Sequence, residues 1–456
     1  MTGVDKAMQL AVRDQEIAVN FDRSVAVLVL NFGKNPFQHG TLGIIRSLGR
    51  LGIPVFAIQR RPTLPIGASR YLAGKCLWSV DGNSTDEFLQ GMAKISKVLD
   101  RPTILVASDD LSAILMAEHA RELEPQFMFI RQPEKLPRTL ANKRYLYCLC
   151  QQLGVPSPPT VFPQSREELL AVSGQIQYPV VIKVEEPWLL PGGFRSPAIV
   201  PQRSDLIEYY DRFAQQSPAT SLMIQEMISD EGAEDWFVHG YCDGRSTPVV
   251  LFTGIKLRSY PAFAGPTTMA RAVHNETLQR QVIKLIKDIG YVGIMDLDWR
   301  LDGRGRYNLL DFNPRVGAQF RLFRTETGMD VVRVLHLDVT GRALRGGRQV
   351  EGRTFMQDAH DVIASYKYYR SGRLTVRDWK RSLRDIDEHA WYAADDPLPF
   401  WQMSLLLPFR ALARTFGLKD SKTVGYPQPK VHFCRKAPSG AWGFPSRMSG
   451  GEISPK

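Results

Sequence analysis

The amino-acid sequence predicts a parallel α/β lobe followed by an α+β lobe. Near the N-terminus, continuous apolar runs alternate with segments of helical spacing, which is the pattern of a parallel sheet covered by helices. Farther along the chain, strands in antiparallel runs are interspersed with helices. A chain of 456 residues is also too long for one compact core, so we expect two or three lobes.

The first lobe is expected over residues 24–135. It begins with the apolar run 25–30, which is typical of a strand buried on both faces. After a turn-rich loop, apolar residues recur at helical spacing, namely Ile44, Ile45, Leu48 and Leu51. The order of strand, loop and helix recurs from Thr103 to Arg121. The glycines of this lobe do not form the dinucleotide fingerprint, so no nicotinamide cofactor is predicted.

The second lobe is expected over residues 136–345. A helix over 135–152 leads into the proline-rich segment 154–160, which is stiff and extended and links the lobes. Strands are predicted at 180–184, 222–225, 236–242, 249–257, 293–300 and 307–311. Helices are predicted between them at 166–172, 204–216 and 276–289.

Both ends of the chain are expected to lie outside these lobes. Residues 1–23 form an N-terminal extension without the apolar region of a signal peptide. Residues 346–424 form a helical C-terminal region, and 425–456 a basic tail that is expected to be disordered. The acid-free segment 398–418 could lie in a membrane interface, but Pro408 breaks its amphipathic run. This favours a helix packed on the body or buried at a dimer contact, so we expect membrane contact to be weak at most.

Composition excludes several classes of protein. The net charge is +11, but nine Lys or Arg against two acids lie between Arg410 and Lys456, so the rest is close to balanced and no nucleic-acid binder is predicted. No run of 18 uncharged apolar residues predicts a membrane span. Five cysteines without metal spacing fit a reducing, cytoplasmic setting.

The strongest chemical signal is a pair of acids on a predicted hairpin. Asp298 and Asp311 lie on two strands joined by the turn 302–305, so they are expected side by side on one face. Together with Asn313 they offer hard oxygen ligands that suit Mg²⁺. Arg315 follows and could bind a planar anion through two hydrogen bonds. The alternative is a hairpin with solvent-exposed acids near its turn.

This hairpin resembles the metal-binding hairpin of ATP-grasp enzymes, in which an acid is followed after about a dozen residues by acid-x-Asn. The resemblance implies an ATP-grasp architecture, with a parallel α/β lobe before a two-lobed nucleotide-binding region. It covers about residues 25–337 and is nearest to the D-aspartate-ligase-like carboxylate–amine ligases. Asp stands at both acid positions, where Glu is commoner in the family.

The same resemblance implies a nucleotide site. Lys143 and Lys183 resemble the family's two phosphate-binding lysines, and a solvated Lys183 at a strand end is the alternative. Gln225, Glu226, Met227 and Ile228 resemble the hinge that meets adenine, although the first two could instead end an edge strand. Glu234 resembles the acid that holds the ribose hydroxyls.

The loop over the phosphates departs from the family pattern. Gly192 and Gly193 are expected to supply its backbone amides, but prolines and a tryptophan flank them. Lys256 and Arg258, predicted to alternate on one strand face, resemble the catalytic cations beside the closing loop 260–268. For Arg258, a solvated surface cation is an equal alternative.

The resemblance implies an ATP-dependent carboxylate–amine ligase that uses Mg²⁺ or Mn²⁺ and releases ADP and phosphate. A small-molecule carboxylate would be activated as an acyl phosphate and passed to an amine, with Arg315 steadying the carboxylate. Two alternatives stay open: a bicarbonate-activating carboxylase or carbamoyl-forming enzyme, and a nucleotide-binding module without catalysis. The sequence does not identify the substrates and leaves a homodimer open.

Overall fold

The computed structural model describes residues 20–33, 35, 38–80, 84–190, 196–216, 221–229, 232–263, 265–415 and 428–434. In the first lobe the elements follow in the order β1 (Ala26–Leu30), α1 (His39–Gly49), β2 (Val55–Gln59), β3 (Leu72–Leu77), α2 (Thr85–Leu99), β4 (Thr103–Ala107), α3 (Asp110–Glu118) and α4 (Ala120–Leu123). Strands β1 to β4 pair in parallel, as the apolar runs predicted. All five residues of β1 are buried, because helices cover the sheet on both faces.

A small antiparallel sheet follows, with α5 (Leu136–Ala141), α6 (Lys143–Leu153), β5 (Thr160–Val161), α7 (Arg166–Ser173), β6 (Val180–Val184), β7 (Ala198–Val200), α8 (Arg203–Gln216) and β8 (Leu222–Glu226). Its strand order is β5-β8-β6-β7. The single helix predicted over 135–152 is two helices. Asn142 separates them and caps α6, because its side chain accepts hydrogen bonds from the backbone amides of Arg144 and Tyr145.

The large sheet is built from β9 (Glu234–Cys242), β10 (Pro248–Ser259), β11 (Thr267–Ala272), α9 (Glu276–Ile289), β12 (Gly293–Leu301), β13 (Tyr307–Asn313), α10 (Val331–Val339), β14 (Thr354–Met356), α11 (Asp361–Arg370), α12 (Val376–Ser382) and β15 (Glu388–His389). The strand order is β13-β12-β9-β10-β11-β14-β15. Helix α9 buries an apolar stripe against one face of this sheet. The opposite face is left for the charged residues described below.

The C-terminal part corrects two expectations. The region predicted as helical contributes strands β14 and β15 to the large sheet, besides helices α11, α12 and α13 (Leu398–Thr415). Within the tail predicted as disordered, β16 (Lys430–Phe433) pairs antiparallel with β3. This pairing covers the edge that β3 would otherwise leave open, which no local sequence pattern indicates.

The first lobe meets the large sheet at the carboxyl ends of β1 and β4. These two strands are neighbours, although β2 follows β1 in sequence on its other side, so the strand order reverses here. Open parallel sheets bind ligands at such a point. The backbone amide of Val316, just after β13, donates to the carbonyl of Ala107 at the end of β4 (3.2 Å). The metal-binding hairpin predicted from the sequence is thereby held against this edge.

Within the described residues, no helix has the length and apolar character needed to cross a bilayer.

Candidate active site

The two hairpin acids lie directly opposite each other. Asp298 on β12 pairs in register with Asp311 on β13, which confirms the predicted arrangement. Both side chains are about a quarter exposed (26%). Trp299 and Phe312 face the buried core on the other side of the sheet. A bulge after Asp298 leaves Leu310 as the extra residue of β13, so that both acids share one face.

A third carboxylate, which the sequence analysis missed, lies beside this pair. Asp296 is opposite Asn313 in the same ladder, and Asn313 Nδ2 donates to its Oδ2 (3.4 Å). His239 Nε2 lies 3.1 Å from Asp296 Oδ1. Burial raises the pKa of Asp296, but His239 and Arg315 outweigh burial and hold it well below its ordinary value. The signal was available, because residues two apart on a strand share a face.

Three lysines from three different elements converge on the acids. Lys143, the first residue of α6, forms an ion pair with Asp311 Oδ1. Lys256 Nζ on β10 lies 2.7 Å from Asp298 Oδ1. Lys183 Nζ on β6 donates to the carbonyl of Leu310 (3.1 Å), at the bulge. The structure therefore brings together all three lysines that the sequence predicted.

Burial and the neighbouring charges act in opposite directions on the acids and lysines of the cluster. Burial lowers the pKa of Lys183 to about 8. Burial raises the pKa of Asp311, but Lys143 and Lys183 reverse the shift and hold it below its ordinary value. The pKa of Asp298 is raised, first by burial and then by the charge of Asp296, despite the opposing Lys256. The charges of acids and lysines thus balance each other within a partly buried site.

Arg315 lies between two acids. Its Nη1 donates to Asp296 (2.8 Å) and its Nε to Asp110 in the first lobe (3.2 Å). Burial opposes its charge, but these acids raise the pKa of Arg315 above its ordinary value. Asp110, which the sequence analysis did not single out, thus ties the first lobe to the hairpin. Only the tertiary pairing of the lobes reveals this contact.

Arg258 does not join the cluster, which corrects the prediction that it shares a face with Lys256. Lys256 is paired with Ala270 on β11, whereas Arg258 is paired with the next residue, Met269. This bulge turns Arg258 to the opposite face of the sheet. There its guanidinium is buried and makes two hydrogen bonds to Asp361 of α11 (2.9 and 2.8 Å).

The predicted hinge lies at the end of β8. Gln225 is buried, and its side-chain amide donates to Thr160 Oγ1 (3.1 Å), while the amide of Glu226 donates to the carbonyl of Pro159 (2.9 Å). Strand β8 lies between β5 and β6, which excludes the edge-strand alternative. Met227 and Ile228 follow, and the carbonyl of Ile228 accepts from Arg300 (3.3 Å).

Glu234 is not brought to the face of the acids. It begins β9, is exposed, and accepts a hydrogen bond from Trp236 Nε1 (2.8 Å). The neighbouring Asp235 lies on the site face instead, where it pairs with Arg300 (2.8 Å) and helps to keep Lys256 charged. Asp235 is therefore a second candidate for holding the ribose hydroxyls, the role expected for Glu234. Gly192 and Gly193 lie outside the described residues.

The donor set fits Mg²⁺ bound together with phosphates. Among the described residues, no group of three or more His, Cys, Asp or Glu side chains is arranged to hold a metal ion. The hairpin instead offers two opposed carboxylates and the side-chain amide of Asn313. Mg²⁺ is commonly bound by one or two carboxylates and completes its shell with water and phosphate oxygens.

Comparison with solved structures identifies the class of fold. The chain resembles the ADP complex of N5-carboxyaminoimidazole ribonucleotide synthetase, with a TM-score of 0.57 and 12% identity over 78% of this chain and 86% of that one. It resembles the biotin carboxylase domain of 2-oxoglutarate carboxylase from Hydrogenobacter thermophilus, crystallised with MgADP, ADP and bicarbonate (0.51, 18%, 71% of each chain). L-amino acid ligase from Bacillus licheniformis is a third neighbour (0.53, 14%, 72% and 79%). The chain has the ATP-grasp fold.

Comparison by sequence finds similar proteins among ATP-dependent ligases and synthases. Residues 263–344 match the model of the carbamoyl-phosphate synthase L chain, ATP binding domain. The chain is 24% identical over 268 residues to D-aspartate ligase of Enterococcus faecium (strain Aus0004), covering 55% of this chain and 63% of the relative. It is 25% identical over 208 residues to the carbamoyl phosphate synthase large chain of Xylella fastidiosa (strain 9a5c), covering 43% and 18%. The chain therefore spans less than two thirds of the length of these curated relatives.

Proposed function

We propose that this protein is an ATP-dependent carboxylate–amine ligase that forms an amide through an acyl phosphate and releases ADP and phosphate. The observation that carries the proposal is the convergence of Lys143, Lys183 and Lys256 on the opposed acids of the hairpin. Three cations from separate elements beside two carboxylates suit the phosphates of a nucleotide held with a divalent cation. The similarity to D-aspartate ligase supports an amine as the acceptor.

The chain's own residues would divide the work as follows. Asp298, Asp311 and Asn313 would hold Mg²⁺, which when bound neutralises charge on the transferring phosphoryl group. Lys143 and Lys256 now serve as counter-ions of the two acids. A bound cation would take over that role and leave both ammonium groups for the phosphates.

Arg315 would orient the carboxylate substrate at the junction of the two lobes. Its Nε and Nη1 already bond to Asp110 and Asp296, so the guanidinium is fixed in one plane. A fixed cation can hold the acyl group and then stabilise the oxyanion that forms when the amine attacks. Asp110 and Asp296 would in turn attract the amine as an ammonium ion, which brings both substrates together, and the amine attacks after it has released one proton to solvent.

The test is a screen for ADP release with amino acids and small carboxylates, followed by mass spectrometry of the products. We expect ADP release that depends on both a carboxylate and an amine, with an amide as product. Mn²⁺ is tested in place of Mg²⁺ in the same assay. ADP release that needs bicarbonate instead would favour the carboxylase or carbamoyl alternative. The match of residues 263–344 to the carbamoyl-phosphate synthase L chain, ATP binding domain, supports that alternative. Absence of turnover across broad substrate pools would favour the non-catalytic alternative.

Location and assembly complete the proposal. A cytoplasmic location is supported by the five cysteines, all of which are free thiols in the structure. We further propose small-molecule partners and leave a homodimer to be tested by light scattering. Fractionation of cells that express the tagged full chain would test the location.

A further inference from the structure

Helix α11 exposes its apolar side chains to solvent, although it lies on the surface of the protein. Val362, Ile363, Tyr366 and Tyr369 are 61%, 45%, 56% and 52% exposed. The outward side of a surface helix is normally polar. We call these four residues the α11 patch. Clustered exposure of this kind marks a surface that contacts something else.

The orientation of α11 is fixed by its inward side, so the patch cannot turn into the core. Asp361 at the start of the helix is buried and makes two hydrogen bonds to Arg258 (2.9 and 2.8 Å). Tyr368 packs against Phe263 with ring centroids 4.6 Å apart, and its hydroxyl lies 3.4 Å from Ser259 Oγ. The buried ion pair alone makes rotation of the helix costly.

The patch is accompanied by a dense set of cations. Residues 362–384 contain seven Lys or Arg and one acid, Asp378. All seven cations are exposed. Among the described residues, five of them form no ion pair, namely Lys367, Arg370, Arg377, Lys380 and Arg384. This segment thus combines exposed apolar side chains with an excess of exposed positive charge.

We propose that the α11 patch and the cations of residues 362–384 form a docking surface for an anionic lipid membrane. Aliphatic and tyrosine side chains beside Lys and Arg are the composition that binds the interface of an anionic bilayer. Nucleic acid would use the cations and tyrosines, but it gives no reason for the exposed aliphatic pair Val362 and Ile363. The contact is peripheral and independent of the proposed ligase activity.

The test is flotation of the full chain with two kinds of vesicle, phosphatidylcholine alone and phosphatidylcholine with phosphatidylserine. We expect binding to the anionic vesicles at low salt, weaker binding to the neutral ones, and release as salt rises. Lys367→Gln with Arg370→Gln should weaken anionic binding about 25-fold, since each cation near such a surface contributes about a fivefold gain. Val362→Ser with Tyr366→Ser should weaken binding to both kinds.

A matched control is present on α13, where Leu398, Trp401 and Leu405 are also exposed but residues 398–407 carry no charge. Leu398→Ser with Leu405→Ser should leave anionic binding unchanged. The proposal is overturned if the chain does not float at low salt, if the α13 variant loses binding while the α11 variants keep it, or if the chain binds polyuridylate but no vesicle. Circular dichroism of each variant checks that the fold is retained.

Discussion

Replacing Arg258 by methionine tests whether this residue supports the fold or the chemistry. Its side chain is 4% exposed and that of its partner Asp361 is 2% exposed. Arg258→Met removes both hydrogen bonds to Asp361, together with those to Ser382 Oγ and Met269 Sδ, and leaves the carboxylate buried without its counter-ion. Breaking a buried pair in this way costs about 3–5 kcal/mol of the free energy of unfolding. Because Arg258 faces away from the acids, we expect the ADP release of the folded fraction to stay close to that of the parent.

A double-variant cycle separates the ion pair from other effects. Asp361→Leu added to Arg258→Met removes the unpaired charge, so the loss should shrink to about 1 kcal/mol, from an acid missing in the first turn of α11. The free energy of unfolding is measured by urea denaturation, with ADP release measured on the same samples. Arg381→Ala breaks the exposed pair with Asp378 and serves as control, with a loss below about 1 kcal/mol. A stable Arg258→Met variant that loses turnover would instead support the catalytic role predicted from the sequence.

Three further predictions concern the nucleotide site. Asp311→Asn should abolish ADP release without lowering the melting temperature appreciably, because the amide still accepts a bond from Lys143 but loses a metal-binding charge; turnover within a few-fold of the parent would contradict the metal assignment. Burial lowers the pKa of Lys183 to about 8, so its positive charge is lost as the pH rises through 8, and kcat/KM for ATP should fall over that range. Lys183→Arg should remove this fall, because arginine stays charged. Lys183→Ala should raise KM for ATP at every pH. A flat pH profile for the parent would refute the role of Lys183. Asp235→Asn should raise KM for ATP about tenfold, which is roughly the effect of one lost charged hydrogen bond. This increase should exceed that of Glu234→Gln. A larger increase for Glu234→Gln would instead support a role of Glu234 at the ribose.

The hairpin could be predicted because its information is local. A short turn joins the two strands, so Asp298 and Asp311 were expected near each other once the turn was recognised. Plain alternation would pair Asp298 with Leu310, and the bulge after Asp298 is what brings Asp311 opposite it. Alternation along β12 also places Asp296 on the face of Asp298, two residues away. Lys183 could be found for a similar reason, since it is the single charge near the end of an otherwise apolar strand.

The sequence by itself determined the parallel first lobe and the acids of the hairpin, because apolar periodicity and short turns act between residues close in the chain, and the resemblance to ATP-grasp enzymes indicated the lysines. Only the tertiary structure decided that Asp110 meets Arg315 across 205 positions, and that β16 closes the edge beside β3. It also decided the side of the sheet on which Arg258 lies. The bulge in β10 that turns this residue depends on the pairing of β10 with β11 and on a buried partner 103 positions away, and strand periodicity alone carries neither.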